Sequence, residues 1–332
     1  MLKKPKILVL GSFMMDLIAS TKRAPNAGET VTGLKFTTAP GGKGANQAVQ
    51  CARLGADVTM VGRVGNDAFG EIMLTTASQA GVDISHVERD PVESSGIGHI
   101  LLEVTDNGAQ NRITICPGAN YNIKTDDLSW LKANIGQFDM LMMQFELPME
   151  VIEIAAEWAY DAGVPVMINP APAAPLSRSL LKYATYISPN EHEAALLAQH
   201  PLRVCENGVN MNDLQEIADS FHFSGVKNLI VTLGDNGSII ADEHGISITP
   251  CVKMEHVADP TAAGDSFVAA FCTGICAGLN SADALAFASH TAAITVSRMG
   301  AMPSLPTLDE VRALMAERGY KGFDLSLLDA LK

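Results

Sequence analysis

Lys6-Ile7-Leu8-Val9-Leu10, running straight into Gly11-Ser12, sets the fold class. Four consecutive aliphatic residues leave no polar face, so the run reads as a strand buried on both sides, which is what a parallel sheet requires. Comparable runs recur at Asp57 to Val61, Asp139 to Met143, Pro165 to Ile168, Tyr186 to Ser188 and Leu229 to Leu233. Between them Ala45, Ala48, Val49 and Ala52, and later Val151, Ile154, Ala155 and Trp158, fall at helical spacing. The alternation predicts an α/β protein whose mostly parallel sheet is covered by crossover helices.

Two stretches break this rhythm. Glu29 to Thr38 and Gly96 to Cys116 are rich in β-branched residues, and the second carries Asp106-Asn107-Gly108, a hairpin signal. Inserted among βα units, they are expected to form a small separate sheet able to cover the open end of the main one as a lid. The plainer alternative is an edge hairpin of the main sheet. Ala262 to Arg298 reads as two nearly apolar helices broken at Gly278-Leu279-Asn280-Ser281, which leaves the lone His290 ambiguous.

The chain has 332 residues, of which 47% are hydrophobic and 18% charged, so it can bury a large core and is not disordered. A formal charge of -14 argues against a partner gripped through many phosphates, such as nucleic acid. Cys51, Cys116, Cys205, Cys251, Cys272 and Cys276 are scattered, without a CxxC pair or histidines at zinc spacing. They are expected to be reduced core residues of a cytoplasmic protein. Lys6, Gly11 and Asp16 interrupt the first apolar stretch, which therefore reads as a strand and not as a leader. The longest uncharged run, Ser266 to Ala282, contains Gly274, Gly278 and Asn280 and is too short for a membrane span.

Three segments could carry chemistry. Gly41-Gly42-Lys43-Gly44-Ala45-Asn46 precedes a helix, where glycines let a ligand approach the backbone and a helix start favours anions. It matches neither a Walker loop nor GxGxxG, and a purely structural turn fits it too. Asp259-Pro260-Thr261-Ala262-Ala263-Gly264-Asp265 opens the first carboxyl-terminal helix. Its unpaired N–H groups suit the charge on a transferred phosphoryl group. Asp265 beside them is either ordinary first-turn helix chemistry or a base that accepts a hydroxyl proton. Asn190-Glu191-His192-Glu193 follows a strand, placed to hold Mg²⁺ through water or simply to cap a helix. Thr232-Leu233-Gly234-Asp235-Asn236-Gly237 either passes a nucleotide or makes a turn.

Gly42-Lys43-Gly44-Ala45-Asn46-Gln47-Ala48 near the amino end and Asp259 to Phe267 near the carboxyl end, about 220 residues apart in this order, resemble the two signatures of the ribokinase, or phosphofructokinase B, family of carbohydrate kinases. The resemblance continues through Gly28-Glu29-Thr30, Pro117-Gly118-Ala119-Asn120, Gln144-Phe145-Glu146, Asn169 to Ala173 and Arg298 to Ser304, and is greatest to the ribokinase and deoxyribokinase branches. It implies a single three-layer α/β/α domain over residues 1–332, with lid segments near 13–40 and 95–118. It also implies ATP at the carboxyl end of the sheet, Mg²⁺, a sugar between sheet and lid, and a homodimer through the lid. By position Met14, Asp16, Gly42, Lys43, Asn46, Glu146 and Asp265 would meet the sugar. Asp265 would be the base, and the N–H groups of Ala262, Ala263 and Gly264 the anion hole. Asn190 and Glu193 would serve Mg²⁺ and phosphates, Thr232, Gly234 and Gly237 would border ATP, and His290 would lie near adenine unless it is a satisfied core residue. A potassium ion, often held beside the anion hole in this family, would take Asp259, Thr261, Thr295, Arg298, Gly300 and Ser304, several through carbonyls.

Two departures stand out. Pro260 replaces a usual threonine, which removes a donor and stiffens the potassium loop. Met14 stands where ribokinases have a sugar-binding asparagine and deoxyribokinase-like sequences have methionine. The resemblance thus implies transfer of the ATP γ-phosphate to the 5-hydroxyl of ribose or 2-deoxyribose. A nucleoside or other sugar kinase is the rival within the family, and a silent sugar-binding regulator the rival of another class.

Overall fold

The computed structural model describes residues 2–105, 108–205 and 208–332. In chain order its strands are β1 (Lys6–Leu10), β2 (Met14–Thr21), β3 (Lys35–Gly41), β4 (Asp57–Gly65), β5 (Val82–Asp90), β6 (Gly96–Thr105), β7 (Gly108–Cys116), β8 (Met140–Gln144), β9 (Val166–Asn169), β10 (Tyr186–Ile187), β11 (Val204–Cys205), β12 (Gly208–Val209), β13 (Asn228–Thr232), β14 (Ser238–Asp242) and β15 (Gly245–Thr249). The α-helices are α1 (Lys43–Arg53), α2 (Ala68–Gln79), α3 (Ser129–Asn134), α4 (Met149–Asp161), α5 (Arg178–Tyr183), α6 (Glu191–Ala198), α7 (Met211–Phe223), α8 (Ala263–Ala277), α9 (Ser281–Val296) and α10 (Leu308–Glu317).

Nine strands form the main sheet in the order β15-β14-β13-β10-β9-β8-β1-β4-β5. Those from β13 to β5 run parallel, and β14 and β15 close one edge antiparallel. The continuous apolar runs are explained by two separate cores. Ile7 and Val9 face the helices α1, α8 and α9, while Leu8 and Leu10 face α4 and α7, so every residue of β1 after the exposed Lys6 is buried whichever way it points. Phe13, Phe271 and Phe287 are wholly buried on the α1/α8/α9 side, each contributing about 2–3 kcal/mol of apolar transfer. No described helix is long and apolar enough to cross a membrane.

Strand order locates the site. From β1 the chain winds outward through β4 and β5 on one side, then returns to β8 and winds the other way through β9, β10 and β13. The crevice at the carboxyl ends of β1 and β8 is therefore a topological switch point, where ligands bind in open α/β sheets. Gly11-Ser12 and Gln144 to Glu146 lie there.

A second sheet, ordered β3-β2-β6-β7, stands apart from the first. β6 and β7 pair antiparallel as a hairpin, and the expected turn residues Asp106 and Asn107 lie outside the described residues. Its second element differs from the expected Glu29 to Thr38: the strand is Lys35–Gly41, and it pairs with Met14–Thr21, which no alternation signals because Asp16 turns inward among apolar neighbours.

One close contact joins these parts. Gly44, on the first turn of α1, packs on Gly11, and a Cβ on Gly44 would lie 2.5 Å from Gly11 Cα. The Ala45 N–H donates to the Ser12 carbonyl at 3.0 Å, tying the helix start to the end of β1. Gly44→Ala is expected to lower the free energy of unfolding by about 2 kcal/mol, because backbone overlap outweighs the roughly 1 kcal/mol that alanine adds inside a helix. Urea unfolding measures this, and an unchanged midpoint would mean that the close approach can relax freely.

Candidate active site

The glycine turn builds one wall. Gly42 has φ 97°, and a Cβ there would lie 2.7 Å from the Met14 nitrogen, so only glycine suits the position. The turn delivers Lys43 at the start of α1 to the Glu146 carboxylate, which accepts from the Lys43 backbone N–H at 2.9 Å and from the Ser12 hydroxyl. Burial disfavours the Lys43 ammonium, but Asp265, Glu146 and Glu193 around it outweigh that cost and raise its pKa above the usual lysine value. Burial likewise pushes Glu146 and Glu193 upward, against the pull of Lys43.

Beside the lysine lies a polar hollow. Asp16 on β2 faces Gly41 and Gly98; a Cβ on Gly41 would lie 3.6 Å from Asp16 Oδ2 and 3.7 Å from Asn46 Oδ1, so the bare glycine keeps the hollow open. Asn46 Nδ2 donates to Asp265 Oδ2 at 2.9 Å, which leaves Asn46 Oδ1 buried without a partner among the described residues. A buried acceptor of this kind calls for a donor from outside, such as a hydroxyl. Met14, 5% exposed, places its sulfur 3.8 Å from Asn120 Nδ2. Asn120 also binds the Phe13 N–H and carbonyl and the Pro117 carbonyl, so it ties the entry of the small sheet to its exit.

Asp265 lies on the first turn of α8, largely buried. Before it Ala262 takes the left-handed conformation with φ 61°, uncommon for a residue with a Cβ, and no side chain caps the helix. Of the three expected anion-hole residues, Ala263 turns its N–H to the Pro260 carbonyl at 3.2 Å, while the Ala262 and Gly264 N–H groups, like that of Asp265 beside them, have no acceptor among the described residues. The open donors and the helix dipole together suit a phosphoryl oxygen. They face a cleft of about 670 Å³ whose lining includes Asn190, Thr232, Gly234, Gly237 and Gly264.

The remaining expected residues divide. Asn190 Oδ1 accepts from the His192 and Glu193 N–H groups, and a Glu193 oxygen accepts from the Asn190 N–H, so these two form a capping box on α6. That structural role leaves the Asn190 side-chain amide donor for the cleft, which Asn190 lines and Glu193 does not. Glu193 is nonetheless close enough to Lys43 and Asp265 to act on both electrostatically. His290 is not part of the cleft, although its neighbours Ser289 and Ala292 line it. Its Nδ1 bonds the Ala286 carbonyl at 2.7 Å and its ring meets Tyr320 edge-on, so helical phase turns it into the core and burial lowers its pKa. These contacts are those of the satisfied core histidine that the sequence left open beside a place near adenine.

In the loop expected to hold potassium, Asp259 accepts from the Thr261 N–H and hydroxyl at 2.9 and 2.6 Å and from the Gly300 N–H at 3.0 Å. These donors outweigh burial and lower its pKa. Thr295 bonds the Thr291 carbonyl, Arg298 pairs with Glu310 and Ser304 bonds the Ala301 carbonyl. A cation there would meet mainly backbone carbonyls.

Three buried amides had been given no role: Gln47, Gln144 and Asn169 connect to one another and to Asp265. All three stand within quoted motifs, and the available signals were a polar residue at a core-facing helix position for Gln47 and an amide closing a buried apolar strand for Gln144 and Asn169.

The chain's relatives agree with this geometry. The profile of the pfkB family carbohydrate kinases matches residues 4–308. The chain is 41% identical over 312 residues to the ribokinase of Schizosaccharomyces pombe, covering 92% of this chain and 96% of that one. It is 36% identical over 310 residues to the ribokinase of Bacillus subtilis, covering 93% and 99%. The Arabidopsis thaliana ribokinase solved with ribose and ATP superposes with a TM-score of 0.85 at 30% identity, over 94% of this chain and 99% of that one. Fold, site and relatives define an ATP-dependent carbohydrate kinase. The chain belongs to the pfkB family of carbohydrate kinases.

Burial, then the charges of Glu146 and Asp259, raises the Asp16 pKa from 3.8 to about 6. The folded state thus favours protonated Asp16, a contribution complete below about pH 4 and lost as pH rises through about 6. Asp16→Asn should therefore stabilise the free protein by about 1–3 kcal/mol at pH 8 and hardly at all at pH 4, while weakening sugar binding. Thermal unfolding at the two pH values checks the sign, and equal effects at both would contradict it.

Proposed function

We propose that the protein transfers the γ-phosphate of ATP to the 5-hydroxyl of ribose or 2-deoxyribose held in the hollow between Asp16, Asn46 and Asp265. One observation carries the reading: a buried carboxylate, Asp265, stands on the first turn of α8, where its own N–H and that of Gly264 have no acceptor among the described residues. A carboxylate beside an anion site is unfavourable unless it has work there, and accepting the hydroxyl proton as the phosphoryl group arrives is that work. The Gly264 and Asp265 N–H groups would hold the transferred oxygens, and Lys43 would offset the negative charge that accumulates among Asp265, Glu146 and the phosphates. Positioning and charge stabilisation are the main needs of phosphoryl transfer.

The phosphates would lie in the cleft lined by Asn190, Thr232, Gly234 and Gly237. Glu193 and Asn190 would hold Mg²⁺ through water, and the ion would neutralise phosphate charge. Asp16 and the unpartnered Asn46 Oδ1 would accept from sugar hydroxyls, with Glu146 fixed behind them by Ser12 and the Lys43 N–H.

In the same reading the small sheet is a lid that excludes water. Asp16, Gly98 and Ile115 sit opposite one another across β2, β6 and β7, and Ile18, Ile100 and Ile113 continue that face outward. Ile113 and Ile115 are 53% and 50% exposed, an apolar surface suited to the lid of a second copy. Cys51, Cys272 and Cys276 are buried free thiols, in keeping with a reducing cytoplasm, whereas Cys116 is exposed and Cys251 half-buried, against the expectation that they too are core residues.

Asp265→Asn should fold normally and lower turnover by about 10² to 10⁴. A coupled ADP assay with ribose and 2-deoxyribose reads it, and near-normal turnover would remove Asp265 from the mechanism. Met14 offers a thioether where an asparagine would discriminate in favour of a hydroxyl, so 2-deoxyribose should be a good substrate beside ribose. Met14→Asn should raise the ratio of kcat/KM for ribose over 2-deoxyribose by about tenfold. An unchanged ratio would place Met14 outside substrate choice.

A further inference from the structure

Gln47 follows Asn46 on α1 and is wholly buried. Its Nε2 donates to Asp265 Oδ1 at 3.2 Å and to Asn169 Oδ1 at 3.1 Å, and its Oε1 accepts from Gln144 Nε2 at 2.6 Å. Asn169 passes the chain on, donating to the Ser188 carbonyl at 2.8 Å. Gln144 and Asn169 are the last residues of β8 and β9, so the ladder is anchored on the rigid ends of two sheet strands. The bare Gly11 leaves room for it: a Cβ there would lie 2.6 Å from Gln144 Oε1.

The direction of each amide is set by this arrangement. A reversed Gln47 would aim its carbonyl oxygen at the Asp265 carboxylate and the Asn169 oxygen and its amide nitrogen at the Gln144 donor, losing three hydrogen bonds and adding three repulsions. Packing does not account for an amide here, since an aliphatic side chain would fill the space without the cost of desolvating a polar group. The ladder ends on Asp265. Asn46 holds Oδ2 of that carboxylate on the side of the hollow, and Gln47 holds Oδ1 from the protein side. Held at both oxygens, the group cannot turn about its Cβ–Cγ bond without breaking a bond.

We propose that Gln47 is a positioning residue for phosphoryl transfer: by holding Asp265 Oδ1 it keeps Oδ2 turned to the sugar hydroxyl and keeps the carboxylate ready to accept a proton. The inference rests on Asp265 as the base. The other charged groups facing Asp265 are Lys43 from α1, Glu146 from the segment after β8 and Glu193 from α6, with Asp16 of β2 beside Glu146. Gln47 adds no charge to this set, so its loss acts through the hydrogen bond. A carboxylate deprived of an N–H donor retains its proton to higher pH, and one set against a second carboxylate does so further.

The test is the pH dependence of kcat and the sugar KM for the parent, Gln47→Met, Gln47→Glu and Asp265→Asn. Gln47→Met should lower kcat by about 10- to 100-fold with KM for the sugar changed by less than about threefold. The pH at which kcat is half lost on the acid side should rise in the order parent, Gln47→Met, Gln47→Glu. Gln47→Met is an uncharged variant of similar length and carries the test if Gln47→Glu fails to fold. Unchanged kcat in a folded variant would overturn the proposal. So would a loss shared by kcat and KM with an unshifted pH profile, which is what mere structural support gives. Near-normal turnover in Asp265→Asn would instead overturn the base assignment on which the proposal stands.

Discussion

The close approach of two glycines, Gly11 at the end of β1 and Gly44 at the start of α1, is the constraint on which the site depends. With a side chain on either, the first turn of α1 could not settle against the switch point between β1 and β8. That turn carries Lys43, Asn46 and Gln47, the three side chains that reach Glu146 and Asp265 or stand between them. α8 packs against the same helix, with the Cys51 thiol of α1 on the Ala269 carbonyl, so Asp265 arrives at the crevice from the other side. Backbone contact and apolar packing thus bring together residues more than 200 positions apart in the chain.

The charges gathered there explain each other. One lysine stands among Asp265, Glu146 and Glu193, with Asp16 and Asp259 at the edge. Without an anionic substrate the carboxylates already hold Lys43 in its charged form. A nucleotide adds further negative charge, which the uncapped start of α8 can meet with neutral N–H groups and a helix dipole. The protein's overall charge of -14 makes this local provision necessary. In the proposed reading phosphate recognition would come from backbone geometry and one lysine, where a basic surface would otherwise serve.

Much of this was legible in the chain itself. Ile7 to Leu10 and its counterparts gave the parallel strands because burial on both faces removes every polar position from them. The helix break at Gly278 was equally plain, since Gly278 adopts φ 110°. Strand β2 was not, because Asp16 interrupts its apolar pattern to face the hollow, and a functional residue there masks the structural period. His290 stayed ambiguous for a different reason: the partner that marks it as a core residue is Tyr320, 30 residues further along the chain. The Gln47 ladder was hidden because an amide in a motif looks alike whether it meets a ligand or another side chain. Asn190 and Glu193 form a capping box, and of the two Asn190 also lines the cleft, so the capping alternative that the sequence offered is present in the fold.

The central claim is that the hollow presents a primary sugar hydroxyl to Asp265 opposite the open start of α8. Phosphorus NMR of the product formed from ATP, Mg²⁺ and ribose tests it most directly. The account predicts a single sugar phosphate whose phosphorus couples to the two protons of the C5 methylene. A phosphate on the anomeric oxygen or a secondary hydroxyl, or no sugar phosphate from either ribose or 2-deoxyribose, would contradict it.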